Sequence, residues 1–127
     1  MTGEKPATVA KTIIVCDDND DILEMYGIML RAEGYAVGTA HGFEELKTLF
    51  GQMKPDLLIL DIQMPEMDGF DVLDELKNQN IAVPVFMITA HDNFLYRRYA
   101  PVIGVLEYLT KPIDADLLLK KIKALPG

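Results

Sequence analysis

The chain has 127 residues, half of them hydrophobic, with 20 Asp and Glu against 12 Lys and Arg and a formal net charge of −8. That length suits one domain with its own core, and the apolar fraction excludes a disordered chain. The acidic balance excludes a nucleic-acid binder built on a basic face and disfavours anionic lipid, while a single cysteine excludes an internal disulfide or a thiolate zinc site.

Residues 1–10 are small, polar and aperiodic, and read as a flexible leader. They lack the apolar run of a secretion signal, and no later stretch reaches the length of a membrane span. The expectation is a cytoplasmic domain. The first apolar run, 12–16, is a short strand. Ile22, Tyr26, Met29 and Glu33 then repeat at helical spacing, with Gly34 as the stop. A second strand at 35–39 leads to a helix marked by Phe43, Leu46 and Phe50. A third strand at 56–60 precedes a helix marked by Phe70, Leu73 and Leu76, and a fourth covers 83–88. A weak helical pattern at 92–99 follows, then a fifth strand at 105–109. The last helix spans 114–125, capped by Asp114, with Leu117, Leu118, Ile122 and Leu125 facing inward.

Strands rich in Val, Ile and Leu, alternating with helices, predict a parallel sheet covered on both faces with right-handed crossovers. Five units suit a single flavodoxin-like, doubly wound α/β sheet of order 2-1-3-4-5 over residues 11–125. No second domain or repeat is expected, and no output domain after the fifth helix.

Open sheets of this type bind ligands beyond the carboxyl ends of their strands. Strand 1 runs into Asp17, Asp18, Asn19, Asp20 and Asp21, strand 3 into Asp61, strand 4 into Thr89 and strand 5 into Lys111-Pro112. Strand 2, at the edge, ends blandly in Thr39-Ala40-His41. With neighbouring strands roughly 4.8 Å apart, Asp17 and Asp18 meet Asp61, and Lys111 reaches the group on its long stem. Carboxylates so crowded call for a cation, and an all-oxygen set suits Mg²⁺, with Mn²⁺ as its substitute. A carboxylate beside such an ion, a hydroxyl and a lysine make a seat for a phosphoryl group. No Gly-rich nucleotide loop is present, so the donor is a protein or a small molecule. Asp20 or Asp21 is expected to cap the first helix.

These residues closely resemble the receiver domain of two-component response regulators, over about residues 11–125. The most specific piece is Leu57-Leu58-Ile59-Leu60-Asp61-Ile62-Gln63-Met64-Pro65-Glu66-Met67-Asp68-Gly69. The resemblance implies that Asp61 accepts the phosphoryl group. It implies a metal held by Asp18, by Asp17 largely through water, by Asp61, and by the backbone carbonyl of Gln63. Thr89 matches the hydroxyl that turns toward the phosphoryl group, with small Ala90 beside it, and Lys111 the lysine that contacts its oxygens. Pro112 matches a proline preceded by a cis peptide bond. Tyr108 matches an aromatic that swings inward on activation, and Gly69 and Gly104 match turn glycines. Gln63 and His91 occupy positions that modulate hydrolysis of the phosphoryl group.

The implied partner is a histidine kinase or a histidine phosphotransfer protein, and the chain is a signalling switch rather than a metabolic enzyme. The segment from Asn93 to Ile103 departs from the family pattern: Pro101 predicts a fourth helix that ends or kinks near Tyr99. Its aromatics Phe94, Tyr96 and Tyr99 cannot then all face the core. Two readings stand, a repacked helix or a partner surface, including a homodimer through helix 4, strand 5 and helix 5.

Other functions fit less well. A haloacid-dehalogenase-like phosphatase needs Asp-x-Asp-x-Thr/Val, but the fifth position counted from Asp18 is Ile22. A calcium loop from Asp17 would place Ile22 and Ile28 where Gly and Glu are required. A docking module that is never phosphorylated would not need the full set of acids, Thr89 and Lys111.

Overall fold

The computed structural model describes residues 11–126, so the expected leader, 1–10, lies outside the described residues. Five strands alternate with five helices: β1 (Thr12–Cys16), α1 (Asp20–Ala32), β2 (Ala36–Ala40), α2 (Phe43–Gln52), β3 (Leu57–Asp61), α3 (Gly69–Asn78), β4 (Val85–Thr89), α4 (Phe94–Val102), β5 (Glu107–Thr110) and α5 (Ala115–Lys123). The strands form one parallel sheet in the order β2-β1-β3-β4-β5. The expected flavodoxin-like order is thus observed, with strand limits displaced by no more than two residues.

Alternation along each strand splits the core in two. Ile14, Cys16, Leu58, Leu60, Val85 and Met87 face α2, α3 and α4, meeting Leu46, Val72, Leu76 and Ala100. Ile13, Val15, Leu57, Ile59, Phe86 and Ile88 face α1 and α5, meeting Leu23, Tyr26, Leu30, Leu118 and Ile122. Because both faces are covered, every residue of β3 and β4 is buried, and the strands read as unbroken apolar runs. Burying such a side chain contributes about 1.5–3 kcal/mol, which is what fixes the strand register.

Helix ends follow local chemistry. After α1, the N–H of Gly34 donates to Arg31 O and that of Tyr35 to Leu30 O, a Schellman closure with Gly34 at φ +94°. Asn80 closes α3 the same way at φ 59°. The cap of α1 differs from expectation: Asn19, not Asp20 or Asp21, accepts the Ile22 N–H, and the two aspartates occupy the first turn, where they complement the helix dipole. Asp114 caps α5 as expected, by accepting from Leu117 N–H. Leu117 itself is 41% exposed rather than inward-facing, because α5 turns Leu118 and Ile122 to the sheet.

Of the two outcomes expected for the fourth helix, an end or a kink near Tyr99, the first does not occur: the helix runs through Pro101 to Val102. Proline lies within the last turn, where its missing N–H costs one bond, to the Arg97 carbonyl. That turn is closed from beyond instead. Gly104 N–H donates to Pro101 O, Val105 N–H to Ala100 O, and buried Ala100 anchors the helix to the core. Of the three aromatics, Tyr96 and Tyr99 both pack on Phe70, with ring centroids 5.1 and 5.4 Å away, although Tyr99 stays half exposed; Phe94 is exposed.

Candidate functional site

Three buried polar side chains stand out from the apolar interior: Asp17, Asp61 and Thr89. All lie at the carboxyl edge of the central strands. Cys16 pairs with Leu60, Asp61 with Ile88, and Thr89 with Thr110, so one line of register carries the ends of β1, β3, β4 and β5. Asp17 is held there by its N–H on Ala40 O (3.0 Å), and it accepts the Asn19 N–H (2.9 Å), which starts α1.

The turn after β3 is fixed by close packing. Gly69 N–H donates to Ile62 O at 2.8 Å. A Cβ at Gly69 would lie 3.0 Å from both Asp61 O and Ile62 Cα, so any larger residue at the start of α3 would press on that backbone. Asp68 and Asp71 form a reciprocal capping box at the same place.

Lys111 reaches across from the end of β5. Its Nζ lies 2.9 Å from Asp17 Oδ2 and 3.3 Å from Asp61 Oδ2. Burial, then the Asp17 charge, pushes the Asp61 carboxyl up to about 6, against the pull of Lys111 and the Gln63 N–H. Burial disfavours the Lys111 ammonium, yet its bond to Asp17 and the two nearby charges hold it above the ordinary lysine value. The neighbouring Cys16 thiol is pushed up to about 12, chiefly by burial, and is therefore no nucleophile.

Asp18 is exposed, and carboxylate oxygens of Asp17, Asp18 and Asp61 lie within 4.8 Å of one another. Three hard anionic oxygens, open to water on the Asp18 side, fit a small divalent cation. The Lys111 ammonium partly offsets their charge.

The remaining residues singled out in the sequence surround this centre. Gln63 donates its N–H to Asp61 Oδ1 (3.1 Å), and its side-chain Oε1 accepts from the Thr89 hydroxyl at 3.0 Å. His91 touches Thr89 through its backbone, and both its ring and Ala90 are in exposed positions. Tyr108 is half-buried; its hydroxyl accepts from Asn93 N–H (3.3 Å), and the Arg97 guanidinium lies 4.8 Å from its ring centre. The Lys111–Pro112 peptide bond is cis.

Two contacts are additional to the sequence reading. His41, at the strand end taken as bland, bridges Asp20 of α1 and Glu45 of α2, the latter at 2.8 Å. The four-residue spacing of His41 and Glu45 was the available signal. The Gln63 side-chain bond to Thr89 had none, because 26 residues separate the two in the chain.

Comparison with known proteins gives the same picture. The sequence model of the family described as response regulator receiver domain matches residues 13–123. Transcriptional regulatory protein GlrR of Escherichia coli is 36% identical over 110 residues, 87% of this chain and 25% of that protein. The response regulator TrrA of Thermotoga maritima, solved in complex with Mg(2+)-BeF, has a TM-score of 0.76 at 34% identity, covering 89% of this chain and 96% of that one. A CheY-like receiver domain protein from Methanospirillum hungatei has a TM-score of 0.81 at 27% identity, covering 90% and 91%. The chain spans about a quarter to a half of the length of the curated relatives it matches.

Proposed function

The chain belongs to the response regulator receiver domain family of two-component signalling, and from that premise we propose that Asp61 is its phosphoryl acceptor. The observation that carries the assignment is the position of Asp61 itself. It is a buried carboxylate at the end of a central strand, held by Lys111 together with a second buried carboxylate, Asp17. The receiver unit occupies residues 11–125.

In the forward step an Asp61 carboxylate oxygen forms a bond to phosphorus as the bond from phosphorus to the donor breaks. With a phosphohistidine donor, the electron pair of that bond stays on the imidazole nitrogen. Dephosphorylation is a separate reaction: water attacks phosphorus, the Asp61 oxygen leaves with its bonding pair, the water proton passes to solvent, and inorganic phosphate departs. Lys111 exchanges its Asp61 contact for the phosphoryl oxygens, and Thr89 donates its hydroxyl proton to one of them. Asp17, Asp18 and Asp61 are the residues that would hold Mg²⁺, with Mn²⁺ as substitute and the Gln63 carbonyl completing the protein's ligands. A bound divalent ion supplies neutralising charge to the oxygens in transfer. Tyr108 leaves Asn93 and turns inward when Thr89 moves, which carries the change to α4 and β5. Cis Pro112 holds the loop bearing Lys111, and His91 and Gln63 set the rate at which water reaches phosphorus.

The donor is a histidine kinase or a histidine phosphotransfer protein of the cytoplasm. Among the described residues no helix is long and apolar enough to cross a membrane. The exposed Leu95, Val102, Leu106 and Leu117 support output, or pairing of two copies, through α4, β5 and α5. Incubation with Mg²⁺ and a small phosphodonor, followed by intact mass, tests the assignment. The wild type gains one phosphoryl group and Asp61→Asn gains none; equal gain in both, or none in the wild type, overturns it.

A further inference from the structure

Thr89 has one hydroxyl proton, and in this structure that proton is already claimed. The oxygen accepts the His91 N–H at 3.0 Å, which leaves the proton pointing to two acceptors on the other side. These are Gln63 Oε1 at 3.0 Å and His91 O at 3.2 Å. Thr89 is fully buried and Gln63 partly so, and the bond between them lies at the boundary of the interior. Gln63 is therefore tied at both ends, by its backbone N–H to the Asp61 carboxylate and by its side chain to Thr89.

We infer that Gln63 is a positioning residue that latches Thr89 in the resting state. This inference rests on the reading of Asp61 as the acceptor. A phosphoryl oxygen on Asp61 gains the Thr89 proton only when the Gln63 amide gives it up. Loading Asp61 therefore has to break a side-chain bond made two residues away from it. The latch opposes activation from within the site, in addition to any effect of position 63 on water access. Its strength is that of one partly buried neutral hydrogen bond, so releasing it shifts the equilibrium by about three- to tenfold. The His91 carbonyl remains as a second acceptor and keeps the shift from being larger.

The test uses the full chain with Mg²⁺ and beryllofluoride as a phosphoryl mimic, titrated by fluorine NMR. Gln63→Met keeps the side-chain length and removes the acceptor, and Gln63→Ala serves as a second variant. Both are expected to bind beryllofluoride about three- to tenfold more tightly than the wild type. In a Thr89→Val background the gain is expected to vanish, because no proton remains to be released. In the resting Gln63→Met protein, the Thr89 methyl resonance should move toward its beryllofluoride-bound position. Unchanged affinity in both Gln63 variants, or an equal gain in the Thr89→Val background, overturns the latch while leaving Asp61 as acceptor. A wild type that takes up no beryllofluoride overturns the acceptor reading, and the latch with it.

Discussion

As the proposed phosphoryl acceptor, Asp61 combines two demands that conflict in a folded protein: that role needs a carboxylate, and the residue sits where a carboxylate is poorly solvated. Its pKa of about 6 lies above the ordinary 3.8, so the native state takes up the proton before the unfolded chain does. That contributes stability below the ordinary value, and the contribution is lost as pH rises through about 6. Asp61→Asn should therefore be more stable than the wild type at neutral pH in metal-free buffer, by about 1–3 kcal/mol. The gain should shrink toward nothing as pH falls to about 4, as read by denaturant unfolding. A difference that stays constant with pH would show that burial and Asp17 do not set the acidity of Asp61. Tyr26 is a different case. Its side chain is buried, its hydroxyl has no hydrogen-bond partner among the described residues, and burial first, then Asp17 and Asp61, raise its pKa, so the phenol stays neutral.

At the scale of elements, glycine acts for different reasons at two helix termini. Gly69 starts α3 and is limited by space, since its Cβ would press on the backbone of Asp61 and Ile62. Gly104 follows α4 and is limited by conformation, with φ +93° and open space among the described residues where a side chain would start. Gly69→Ala should cost about 1–3 kcal/mol as overpacking, and should slow phosphorylation by displacing Asp61. Gly104→Ala should cost about 1–2 kcal/mol as left-handed strain, with the phosphorylation rate unchanged. Denaturant unfolding and intact mass, run on both, separate the two; an unaffected phosphorylation rate in Gly69→Ala would deny the packing link to the site. The same closure explains α4. Bonds from Gly104 and Val105 hold a last turn that contains Pro101, so the proline is tolerated as the penultimate residue of the helix.

Across the whole molecule the charge of −8 is unevenly spread. Asp17, Asp18, Asp20, Asp21 and Asp61 share one edge of the sheet, and without those five the balance is only −3. The fold tolerates this concentration through Lys111 and through His41, which joins Asp20 to Glu45. A divalent ion binding there should stabilise the native state, by about 2.7 kcal/mol at a hundred times its Kd. Tm should accordingly rise with added Mg²⁺. Asp18→Asn separates this effect from folding, because Asp18 is exposed and the Lys111 contacts go to the other two acids. Its metal-free stability should stay within about 0.5 kcal/mol of the wild type, while the Mg²⁺-dependent rise flattens. A rise of undiminished size in that variant would remove Asp18 from the metal's ligands.

The sequence by itself determined the alternation of strands and helices and the identity of the residues at the strands' carboxyl ends. Both follow from local patterns: unbroken apolar runs of strand length, helical spacing between them, and acids, Thr89 and Lys111 standing where the runs end. Tertiary structure alone decided which of those groups touch. That Lys111 bridges Asp17 and Asp61, that Asn19 rather than an aspartate caps α1, and that α4 passes through Pro101 depend on competing contacts of similar strength. The Gln63 bond to Thr89 is the clearest instance. It joins residues on adjacent strands' exits through the rotamers of two side chains, and chain spacing carries no information about those rotamers. Burial sets the strands at a few kcal/mol per residue, enough to be read in advance, whereas a hydrogen bond of about 1 kcal/mol is chosen only once its alternatives are in place.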